Sequence, residues 1–226
     1  MIYQGRLETF ETKLTNYLDN EVDDILAKLK NQYNEGFKAF NEYHFTKLDK
    51  EDVKYKMMLN NLALTDNIVA LLETKIIYLW KIFEVKLKEL INVAYPNVDN
   101  KKLHIFDNIE SFFKEYKINL KGIIDYQSLI ELKEANNQCK HEGLKWSHKI
   151  NQIQEFKRTK KNEGHITYID AERFYNRVKD IPESFLVAVK ELIIEERLSF
   201  DRNKYKEISE PLLERMNHQQ AIEFMQ

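Results

Sequence analysis

Over most of this chain apolar residues return every three or four positions, with almost nothing between them that could turn a β-hairpin. Leu7, Phe10, Leu14, Tyr17, Leu18, Val22, Ile25, Leu26, Leu29 and Tyr33 keep the spacing of one face of an α-helix. Ile76, Leu79, Trp80, Phe83, Leu87, Leu90 and Ala94 keep it again. Sheets need tight turns, which glycine and proline largely supply, and five glycines and three prolines in 226 residues are too few. With 32% of residues charged, the pattern predicts an all-α protein, an elongated helical bundle with a long amino-terminal amphipathic helix.

The punctuation sets expected boundaries. The first helix should run from about residue 6 to 43 and either pack on a partner chain as a coiled coil or fold back on its own bundle, the second being favoured because its heptads are aromatic-rich and irregular rather than strictly a/d. Asp49, Glu51 and Asp52 suit the start of a second helix, where carboxylates complement exposed amides. That helix should persist to Ala94 and stop at Tyr95-Pro96, since the residue before proline leaves helical geometry. Asp99 can cap a helix over 100–116 that packs through Leu103, Phe106, Ile109, Phe112 and Phe113. Ser128 and Glu131 have capping-box spacing at the head of a helix that Gly143 ends. Between Leu144 and Ile169 the period is lost and a basic loop is expected. Asp170 then caps a short helix, Pro182 opens the last core helix, and a polar tail from Asp201 carries a short helix beginning near Pro211. One domain over 1–226 is expected, with a helical extension at 1–64, a core at 65–198 and a helical tail at 199–226.

Charge and rare residues exclude several functions. The 35 basic and 37 acidic residues leave a net charge of −2, so polyanion binding needs a local patch. A single cysteine, Cys139, forbids an intrachain disulfide and a thiolate metal cluster, and fits a reducing cytoplasm. The amino terminus lacks a basic region followed by an apolar core, and no window approaches the ~20 apolar residues of a membrane span. A cytoplasmic protein without a membrane partner is the expectation. His44, His104, His141, His148, His165 and His218 form no His-Glu-x-x-His pair, and the glycines are isolated, so neither a metal nor a cofactor is expected.

One segment carries chemistry: Glu131-Leu-Lys-Glu-Ala-Asn-Asn-Gln-Cys-Lys-His-Glu-Gly143. On a helix Ile130, Glu134, Asn137 and His141 share one face, which places a carboxylate, an amide and an imidazole together. Leu129, Leu132 and Cys139 line another face with Asn136 among them, and a polar group there needs a hydrogen-bond partner on a neighbouring helix or loop. Lys157, Arg158, Lys160 and Lys161 place four cations within five residues shortly afterwards, enough to contact phosphate.

The end Asn136-Asn137-Gln-Cys-Lys140-His141-x-Gly143 resembles the signature helix of HEPN domains, small helical bundles of prokaryotic toxins and antiviral systems. The aromatic stretch from Ile76 to Glu84 resembles an early helix of the same family, and the likeness spans about residues 65–198. The resemblance implies a HEPN-like core, a homodimer, and a toxin–antitoxin or antiphage defence context with RNA or a protein as partner. Family ribonucleases cleave RNA without a metal, using an arginine followed, after four to six intervening residues, by a histidine. Here the arginine position holds Asn136. Binding of RNA or a partner protein is therefore expected ahead of catalysis; the alternatives are a metal-independent endoribonuclease with a variant Asn-x4-His site, and a structural helical adaptor. A catalytic version would draw on His141, Asn136, Asn137 and Lys140, with Glu84 and Glu134 in support.

Overall fold

The computed structural model describes residues 2–14, 18–43, 52–144, 147, 149–157 and 166–213, and among them every regular element is helical. The order is α1 (Ile2–Glu8), α2 (Leu18–Glu42), α3 (Asp52–Ala94), α4 (Phe106–Glu115), α5 (Tyr126–Glu142), α6 (Tyr168–Val178) and α7 (Ile181–Leu213). Short 3-10 turns occupy Asn100–Leu103, Leu120–Gly122, Ile150–Gln152 and Gln154–Phe156. The fold is all-α, and no helix among the described residues is long and apolar enough to cross a membrane. The chain divides into two compact units, one built from Met1–Glu11, Lys88–Ile123 and Leu186–Gln226, the other from Thr12–Leu87 and Ile124–Phe185.

In the first unit Leu90, Ile91 and Ala94 of α3 are buried, as are Phe106, Ile109 and Phe113 of α4 and Val189 and Ile193 of α7. Tyr95 stops α3 ahead of Pro96 and packs its ring on Tyr116 and Phe112, with centroids 4.3 and 5.2 Å away. Burial, reinforced by the charge of Glu196, pushes its phenol pKa up. Asp99 caps as expected, accepting from Lys101 N at 3.0 Å, but the helix over 100–116 is two pieces. Ile105 is extended (φ −118°, ψ 141°), and α4 restarts after it.

The amino-terminal helix also differs from expectation. The stripe from Leu7 is broken after Glu8, where the freed carbonyls of Glu8 and Phe10 accept from Lys190 Nζ at 2.8 and 3.0 Å. Thr9 Oγ1 bonds back to Gly5 O at 2.9 Å. Lys190, 180 positions beyond Phe10, satisfies two of the carbonyls freed where the backbone leaves the helix, which no local pattern reveals. The polar tail differs too: α7 runs on to Leu213, so Pro211 lies in its last turn rather than at the head of a new helix.

The second unit holds α2, the first part of α3, α5, α6 and both 3-10 turns after Gly143. Ile68, Leu72, Ile76, Leu79 and Phe83 of α3 are buried; Phe83 meets Trp80 at 5.3 Å and the edge of Phe185 at 6.1 Å. Burying each such ring contributes roughly 2–3 kcal/mol. The segment after Gly143 is not a bare loop. Ile150, Ile153 and Phe156 are buried at intervals of three, the repeat of a 3-10 helix, whose side chains at that spacing eclipse. Thr167, rather than Asp170, caps α6: its Oγ1 accepts from Asp170 N at 3.2 Å and donates to Asp170 Oδ2 at 2.7 Å.

α2 is fastened to this unit by charge as well as by Val22 and Leu26, both buried. Lys75 is 4% exposed, reaches Asp23 at 2.6 Å and lies 4.3 Å over the Tyr175 ring, while Lys30 pairs with Glu172. A Cβ on Gly36 would stand 2.5 Å from Asn61 Oδ1, so α2 and α3 approach closely there.

Candidate functional site

α5 begins after Asp125, which adopts a left-handed conformation (φ 65°) and makes no side-chain cap. Ser128 and Glu131 do not form the expected capping box. Both lie inside the helix and face Arg177 of α6, which donates to Glu131 Oε2 at 2.7 Å and reaches Ser128 Oγ at 3.4 Å. Arg177 also grips Glu155 twice, at 2.6 and 2.9 Å, and its guanidinium lies 5.4 Å over the Phe174 ring. The Glu155 bond raises the pKa of Arg177. Burial resists ionisation of Glu155 most strongly of any single influence, yet the Arg177 hydrogen bond, a backbone hydrogen bond and the Arg177 charge together outweigh it and hold that carboxyl below the usual range.

Further along, Leu129, Leu132, Ala135, Asn136 and Cys139 form the buried face. Burial, with Glu73 nearby, pushes the Cys139 thiol pKa up, so it is a packed thiol rather than a nucleophile. Asn136 is 1% exposed. Its amide donates to Asn137 Oδ1 at 3.3 Å, a bond to its own neighbour rather than to another helix or loop, and its Oδ1 has no hydrogen-bond partner among the described residues. Glu134 forms an ion pair with Lys149 at 3.6 Å, too long for a hydrogen bond, and its shielded Oε2 has none among the described residues.

The helix ends where Gly143 takes φ 69°, ψ 178°, a conformation that favours glycine. Glu73 of α3 fills the space a side chain would need: a Cβ at Gly143 would lie 3.1 Å from its Oε1, the same oxygen that accepts from Leu144 N. Gln138 reinforces the end by donating to Glu142 Oε2 at 3.0 Å and Gly143 O at 3.3 Å. Lys140 and His141 are exposed on this last turn. Two donors therefore face solvent at the negative end of a helix, a placement that suits cations.

The signature residues thus separate by depth. Asn136 is buried, Glu134 and Asn137 are half-buried, and Lys140 and His141 are open. Glu84 is half-buried on α3, and no hydrogen bond joins it to Asn136 or His141 among the described residues. Lys157 is exposed directly after the Gln154–Phe156 turn; Arg158, Lys160 and Lys161 lie outside the described residues. No group of three or more His, Cys, Asp or Glu could hold a metal among the described residues.

Two structural anchors escaped sequence reasoning. Arg177 and Glu73 sit in ordinary amphipathic stretches, with no local mark of their partners 46 and 71 residues away. Lys75 carried a signal, being a charge between the core residues Leu72 and Ile76. The chain matches no protein-family model, no curated protein and no solved structure.

Proposed function

We propose that this is a HEPN-like protein of a bacterial toxin–antitoxin or antiphage defence context, working in the cytoplasm by binding RNA or a partner protein rather than by cleaving RNA. The observation that carries this reading is the separation by depth along α5. Lys140 and His141 are open to a ligand, while Asn136, at the position where the resembled ribonucleases have arginine, is buried. An amide in that place offers no charge to a developing phosphorane and no path to one. Arg177 is engaged by Glu131 and Glu155 and does not supply the missing cation. Lys140, His141 and the exposed Lys157 are suited to phosphate contact, with Arg158, Lys160 and Lys161 following in sequence.

Anisotropy of a labelled single-stranded RNA, titrated with the full chain at several salt concentrations, tests this. Binding should weaken with salt by a slope of roughly 0.7 per phosphate contacted and fall in the Lys140→Ala/His141→Ala variant, with the RNA intact on a denaturing gel. Cleavage abolished by His141→Ala would establish the endoribonuclease instead, and salt-insensitive binding would remove the phosphate contact.

A further inference from the structure

A cavity of about 570 Å³ lies wholly within the first unit, between one face of α4 and the chain that follows it through the Leu120–Gly122 turn. Its lining is set by how α4 ends. Ile118 N donates to Phe113 O and Lys117 N to Lys114 O, each at 3.0 Å, the paired bonds that close a helix on a left-handed residue. That residue is Lys117, at φ 59°. Glycine is usual in this place, because a side chain makes the left-handed conformation costly. Here the chain keeps a lysine, and it lines the cavity together with Lys114 of α4 and Lys121 of the following 3-10 turn.

All three lysines are exposed, and none of their ammonium groups forms an ion pair or hydrogen bond among the described residues. The negative end of α4 accounts for a cation at Lys114 or Lys117. It does not account for Lys121, nor for a lysine where glycine would sit without strain, and three like charges around one cavity repel one another until an anion joins them.

The rest of the lining bounds that anion. The volume falls within the roughly 300–1,000 Å³ of small-molecule sites and is several times what one phosphate ion fills. Ser111, Glu110 and Asp107 line the cavity toward the start of α4, where a hydroxyl and two carboxylates can bond to ligand hydroxyls. The same carboxylates repel negative charge at that end, so the ligand carries its charge at the lysine end alone. We propose that this cavity binds a phosphorylated sugar, free or as part of a nucleotide, with the phosphate held by Lys114, Lys117 and Lys121 and the hydroxyls turned to Ser111, Glu110 and Asp107. The proposal goes beyond the RNA-binding reading and draws on no residue of α5.

Calorimetric titration of the full chain with ribose 5-phosphate, adenosine monophosphate, ribose and inorganic phosphate tests it. Both phosphorylated sugars should bind, the tighter of the two identifying the source, with inorganic phosphate weaker than either and ribose silent. Lys117→Gly removes the ammonium while giving the backbone the residue it prefers. This variant should lose affinity by about tenfold or more and melt at or above the wild type. Lys121→Gln should lose affinity too, whereas Lys101→Gln, exposed in the same unit but outside the cavity, should not. Silence with both phosphorylated sugars would overturn the proposal, as lysines that only contact RNA would give. So would inorganic phosphate binding as tightly as they do, or unchanged affinity in Lys117→Gly. A lower melting temperature for Lys117→Gly would mean that the lysine is kept for the fold, and would overturn it as well.

Discussion

The two halves of α5 carry similar residues and do different work. In its first half Ser128 and Glu131 are engaged by Arg177, and Arg177 in turn holds Glu155 and lies over the face of Phe174. Its last turn holds Lys140 and His141, both exposed, on a helix end fixed from beneath by Glu73 and Gly143. Polarity on a helix therefore does not mark function by itself. What separates structural from available groups here is whether another element reaches them, and a rigid end with open donors is the arrangement that preorganises a contact.

Substitutions should separate the halves by stability and by binding. The largest effect is expected at Phe156, whose ring packs at a tilt on Phe174 with centroids 5.1 Å apart, beneath the Arg177 clamp. Phe156→Ala should destabilise the protein by about 3–5 kcal/mol in denaturant unfolding, whereas a segment that were only a solvated basic loop would show almost none. Gly143→Ala comes next, because it forces a side chain into positive φ and against Glu73; a loss of about 1–3 kcal/mol is expected. RNA affinity should fall with it if the helix end positions Lys140 and His141.

Arg177→Ala should cost about 1–2 kcal/mol, moderated by its partial exposure, and should leave RNA affinity unchanged. The clamp also has a pH signature. Glu155 ionises below its ordinary range, so its contribution is complete above the unfolded value of about 4.3 and is lost as pH falls through the lower folded value. Glu155→Gln should flatten that acid limb of a stability–pH curve. The smallest stability change belongs to Lys140→Ala/His141→Ala, within ~0.5 kcal/mol, although this variant should bind RNA worst.

Much of this architecture is legible in the sequence because helices announce themselves locally. The apolar spacing from Ile76 to Ala94, the stop at Tyr95-Pro96 and the terminator at Gly143 all appear where their physics predicts. The failures share a cause. The break after Glu8, the clamp on Ser128 and Glu131, and the seat of Gly143 on Glu73 depend on Lys190, Arg177 and Glu73, partners remote in sequence whose choice leaves no periodic trace. The turns at Ile150, Ile153 and Phe156 were legible after all, at a period of three rather than 3.6. At the candidate site, the depth of Asn136 was readable from its place among Leu129, Leu132 and Cys139, but its partner was not: the amide donates to the adjacent Asn137 rather than to another helix or loop.

The most direct test is a two-dimensional amide NMR titration of the full chain with a short single-stranded RNA. The account predicts shifts confined, within α5, to the amides of residues 138–144, with those of 128–136 unmoved. Shifts centred on 128–136, or none in α5 at all, would contradict it.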